Sequence, residues 1–69
     1  MTEDDVRQRV AKIDEIADMP EQAHMAEDRL YCDVLEAIAA GTDNPAGLAR
    51  AALAARHLGL DRYYSAPLD

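Results

Sequence analysis

Val6, Val10, Ile13 and the pair Ile16/Ala17 recur at steps of four, three and three, which places them on one face of a helix over about 2–18. Thr2 followed three residues later by Asp5 reads as an N-terminal cap, and Glu3, Asp4 and Asp5 suit the positive end of the helix dipole. Pro20 interrupts the pattern, because proline cannot continue the preceding helix and restricts Met19. It is welcome in a first turn, so a second helix is expected over about 20–40, with Asp18 and Glu21 as a capping box and Gly41 just past its end. On this helix Ala23, Ala26, Leu30, Tyr31, Val34, Ala37 and Ile38 share one arc of roughly 140°, extended by Leu35. Glu27 falls inside that arc, between Val34 and Ile38, while Arg29, Asp33 and Glu36 fall outside it. Asn44 as N-cap and Pro45 as first residue open a third helix over about 45–58, whose narrow face is Leu48, Ala52, Ala55 and Leu53. Gly59 stops it, with Leu60 placed to fold back over Ala54 or Ala55. The expectation is an all-α chain: a small three-helix bundle with helix 2 central and a short C-terminal turn. It would be a single domain over 1–69 with a tail at 59–69.

Composition changes this picture in one respect. Hydrophobic residues make up 49% of the 69, yet phenylalanine and tryptophan are absent and the large apolar set is thirteen Val, Ile and Leu residues, three Tyr and two internal Met. Such a core is thin, and a chain of this size nets only a few kcal/mol from its own burial. Self-association, as a homodimer, is therefore expected, and the alanine-rich third helix permits close approach of a neighbour.

The formal net charge is −7. That argues against nucleic acid or an anionic membrane as partner, and leaves a basic protein as a possible one. Residues 1–43 hold twelve acids and four bases, and residues 44–69 hold two acids and three bases, so Arg50, Arg56 and Arg62 are expected to face the acidic helices. One cysteine, Cys32, excludes an internal disulfide framework and a multi-cysteine zinc site. No apolar run approaches the roughly 18 residues a spanning helix needs. The N-terminus is acidic where a secretory signal is basic and then apolar, which points to the cytoplasm.

The one polar cluster with site-like spacing is His24, Glu27, Asp28 and Tyr31, at steps of three and four along helix 2. Imidazole and carboxylates are metal-ligand types, so His24, Glu27 and Asp28 are the metal candidates. Helices 1 and 3 supply no matching second half, and a closed zinc site needs four ligands. The reading favoured here is a structural polar network in which Glu27 is held by donors from Arg50, Arg56, Tyr63 or Tyr64. An unpaired carboxylate on a buried face would be prohibitive. Cys32 and His57 do not read as nucleophile and base: Cys32 lies mid-helix, away from any helix N-terminus that lowers a thiol pKa, and is expected to be packed or half-exposed. Ser65 lacks a nucleophile elbow, and Gly41, Gly47 and Gly59 are cap and first-turn residues rather than a phosphate loop. The segment 53–60 echoes the first helix and turn of a helix-turn-helix, but too little chain follows it for a base-reading helix.

The segment Gln22-Ala23-His24-Met25-Ala26-Glu27-Asp28-Arg29-Leu30-Tyr31, followed by Val34-Leu35-Glu36-Ala37-Ile38-Ala39-Ala40-Gly41, resembles a set of small actinobacterial and actinobacteriophage helical proteins of unknown function. That set shares an Ala-His-x-x-Glu-Asp-x-Leu segment, an Ala-Ile-Ala-x-Gly helix end, an Ala-Leu-Ala-rich helix and an aromatic tail. The resemblance covers about residues 13–64 and picks out His24, Glu27, Asp28, Tyr63 and Tyr64. The adjacent tyrosines replace the Arg and Trp usual in that tail. The resemblance implies no particular activity. The expected role is thus a non-catalytic helical protein-interaction or accessory module without a cofactor. The alternatives are a metal-binding protein built on His24, Glu27 and Asp28, or an acidic DNA mimic or phage-type regulator.

Overall fold

The computed structural model describes residues 1–58. Three helices, α1 (Glu3–Glu15), α2 (Pro20–Ala39) and α3 (Pro45–Leu53), are followed by a 3₁₀ turn over Ala54–His57. Among the described residues there is no strand. The chain is an all-α three-helix bundle: α2, the longest element, packs against both other helices, and α1 and α3 close the triangle against each other. No helix among the described residues is long and apolar enough to cross a membrane. The Gly59 stop, the Leu60 contact, Arg62 and the tail lie outside the described residues.

Each helix begins and ends for a local reason. At α1, Thr2 Oγ1 accepts a hydrogen bond from the Asp5 backbone N–H (3.1 Å), and Asp5 Oδ2 accepts one from the Thr2 N–H (2.8 Å). These reciprocal bonds satisfy two amide donors that a helix start otherwise leaves open. They also favour the ionised Asp5, holding its carboxyl below the usual aspartate range; the bond from the Thr2 backbone is the larger cause. Helix α1 stops at Glu15, three residues before the end expected at about residue 18. Ile16, Ala17 and Met19 bond back only three residues, to Ile13, Asp14 and Ile16, as the chain tightens toward Pro20. The expected Asp18–Glu21 box does not form. Met19 is the N-cap of α2, so Asp18 lies one position too early to cap.

Helix α2 ends in a Schellman motif. The Gly41 N–H bonds to the Ile38 carbonyl and the Thr42 N–H to the Ala37 carbonyl, both at 3.1 Å, while Gly41 takes φ +94°. At α3, Asn44 Oδ1 accepts from the Gly47 N–H (3.2 Å), and the amide of the same side chain donates to Glu3 Oε1 (3.0 Å). Asn44 therefore caps α3 and ties its start to the start of α1. A Cβ at Gly47 would meet the Asn44 amide and the Glu3 carboxylate, so both side chains would have to shift from the cap and the tie they form. Regular α geometry ends at Leu53, earlier than the pattern implied, because the last turn is 3₁₀.

The core consists of Val6, Ile13, Ala23, Leu30, Val34, Leu48, Ala52 and Ala55, flanked by half-buried Val10, Ile16, Tyr31, Ile38 and Leu58. Two residues expected on inward faces are exposed: Leu35 and Leu53. Leu35 lies at the outer edge of the α2 arc. Leu53 follows buried Ala52 and so points about 100° away from it.

Three outcomes are expected. Asn44→Ala should cost about 1 kcal/mol in urea unfolding through loss of the cap. Gly47→Ala should destabilise as well, by about 1 kcal/mol or more through overpacking, although alanine is the better helix former in an open site. The midpoint of the Asp5 carboxyl, followed by NMR, should rise in Thr2→Ala. Asp5 is depressed in the folded chain, so its capping contribution is present above the unfolded-state value and lost as pH falls through the folded one.

Candidate functional site

Helix α2 carries His24, Glu27 and Tyr31 along one flank because they are spaced three and four residues apart. Glu27 is only 1% exposed and, among the described residues, is the one charged side chain that is buried. Tyr31, one turn on, donates its hydroxyl to Glu27 Oε2 at 2.7 Å. His24, one turn back and half-buried, sets Nδ1 3.7 Å from Glu27 Oε1. That separation is longer than a hydrogen bond but within electrostatic reach. No buried side-chain nitrogen or oxygen among the described residues lacks a hydrogen-bond partner, so the carboxylate is accommodated rather than stranded.

The other candidates are placed differently. Asp28 is exposed, one residue off the flank shared by His24, Glu27 and Tyr31. Among the described residues no three His, Cys, Asp or Glu side chains are arranged to hold a metal ion. Arg50 is exposed and lines a shallow groove with Glu3, Arg7, Val10, Ala51 and Ala54, on the α1–α3 side of the bundle. Arg56 is exposed on the 3₁₀ turn. Tyr63 and Tyr64 lie outside the described residues. Cys32 is exposed on the outer side of α2, rather than packed or half-exposed, and His57 is exposed on the 3₁₀ turn.

Two features escaped the reading of the sequence. Asp33, expected on a wet face, is half-buried and accepts a hydrogen bond from Arg9 Nη1 at 2.8 Å, joining α1 to α2. Beside this pair runs a cleft floored by Ile13, Ile16 and Ala26 and edged by Arg9, Lys12 and Arg29. Three cations thus gather at one apolar cleft in an acidic chain. The signal was present, since Arg9 and Lys12 flank the α1 stripe and Arg29 follows Ala26 by three residues. It became legible only once the two helices were set side by side.

Chemically, the Glu27 cluster is a brace. Its carboxylate is covered, and Tyr31 and His24 of the same helix are among the groups beside it. Compared with known proteins, the chain matches no family model, no curated protein and no solved structure.

Glu27→Ala leaves the Tyr31 hydroxyl without its acceptor and should destabilise by about 1–3 kcal/mol in chemical denaturation. Asp33→Ala, which releases Arg9, should cost about 0.5–1 kcal/mol. Gln8→Ala, on the exposed side of α1, should stay within about 0.5 kcal/mol. Equal effects at all three positions would show that Glu27 is merely solvated.

Proposed function

We propose that the chain is a non-catalytic helical interaction module that works as a homodimer. The observation that carries this reading is the distribution of apolar surface. Three of the eight buried apolar residues are alanines, while Met25 and Leu35 on α2 are 71% and 64% exposed and Leu53 on α3 is half exposed. A bundle that buries alanine and exposes methionine and leucine has apolar surface left to cover. The alanine face of α3 is not that surface, because Ala52 and Ala55 are used inside the bundle. The polar cluster supports a non-catalytic role, since Glu27 is enclosed and engaged by Tyr31 rather than presented in a cleft.

Sedimentation velocity at tens of micromolar should give twice the chain mass, and the thermal midpoint should rise with protein concentration. A monomer at high micromolar concentration, with concentration-independent unfolding, overturns the reading.

A further inference from the structure

The cleft between α1 and α2 sorts apolar surface from charge. Its floor is Ile13, Ile16 and Ala26, the first buried and the other two half-buried. Its lining is almost wholly apolar, so Arg9, Lys12 and Arg29 wall it with their aliphatic stems and carry their charges at the mouth. The volume is about 210 Å³.

The three cations differ in what holds them. Arg9 is bound to Asp33 at 2.8 Å, which fixes its stem as a wall and offsets its charge. Lys12 on α1 and Arg29 on α2 are exposed, and neither forms an ion pair among the described residues. Acids are not scarce, since fourteen stand against seven bases in the chain. Asp33 even lies four residues after Arg29, the spacing of a helical ion pair, yet it is engaged by Arg9 from the other helix. Two uncommitted cations are therefore left on opposite lips of one apolar cleft.

We propose that this cleft binds a small organic monocarboxylate, its alkyl body on Ile13, Ile16 and Ala26 and its carboxylate between Lys12 and Arg29. The floor removes an alkyl chain from water, while the carboxylate at the mouth keeps its access to solvent and gains two opposite charges. A neutral hydrophobe leaves the cations unused, and a small hydrophilic anion leaves the floor wet. The volume lies below the roughly 300–1,000 Å³ of sites for drug-sized ligands, so the occupant is short, on the order of ten non-hydrogen atoms. An anionic membrane surface is a poorer match, because a chain of net charge −7 is repelled from it as a whole.

The test is a titration of the ¹⁵N-labelled full chain with octanoate, octanamide and acetate, followed through its amide resonances. Octanoate should shift Lys12, Ile13, Ile16, Ala26 and Arg29, saturate at about millimolar concentration or below, and bind about fivefold or more tightly than octanamide; acetate should give no saturating shift. Lys12→Gln and Arg29→Gln, with helicity checked by circular dichroism, should each weaken octanoate by about threefold or more and leave octanamide within about twofold. Equal affinity for octanamide, saturating acetate binding at the same residues, or octanoate binding that both variants leave unchanged overturns the proposal. So does movement of the same resonances with protein concentration alone, which marks the cleft as covered by a second copy.

Discussion

The constraint from which the rest of this structure follows is a core in which alanine fills three of the eight buried apolar positions. Ala23 on α2 and Ala52 and Ala55 at and after the end of α3 are buried at positions where larger chains usually stand. Small residues let backbones come near, but each covers little apolar area. A bundle built this way buries little apolar bulk. It therefore depends on capping and on a few polar ties between elements: Arg9 to Asp33 between α1 and α2, and Asn44 to Glu3 between α3 and α1. With so little interior volume, large apolar chains beyond the core positions are left outside.

Against that background the buried carboxylate is the costliest residue in the interior. Its neighbours along the helix contribute to its accommodation. Tyr31 brings a hydroxyl one turn away, and His24 brings an imidazole from the other direction. Tyrosine suits such a position because its ring extends the apolar face while its oxygen reaches a polar partner. The cluster joins packing and hydrogen bonding in one flank of α2. It gives that flank a fixed rotational setting that an all-leucine face would not impose.

Much of the architecture was legible in the residue pattern, and the exceptions share a cause. Pro20, Gly41 and Asn44-Pro45 delimit α2 and the start of α3 to within a residue, because each has a backbone requirement that few alternatives satisfy. The ends of α1 and α3 were read too long. A final turn with three-residue hydrogen bonds keeps the hydrophobic spacing of a helix while abandoning its geometry. The burial of Glu27 followed from its angle on one helix. The pairing of Asp33 did not, because a helical wheel gives a residue's direction but not the reach of a long arginine from the next helix. Likewise the cleft edged by Arg9, Lys12 and Arg29 belongs to neither helix alone.

The hydrogen bond between Asn44 and Glu3 has a consequence for how the molecule meets its surroundings. It joins the first turn of α1 to the cap of α3, so two helices present their positive poles at the same end. Glu3, Asp4 and Asp5 crowd that end, and Glu3 and Asp4 are further engaged by Arg7. Three of the fourteen acids of this chain are thereby engaged by its own backbone or by one arginine. The field felt by an approaching molecule is weaker there than the formal charge implies, and the cleft edged by Lys12 and Arg29 gathers cations in an otherwise acidic chain. The net charge of −7 is thus spread unevenly over the exterior.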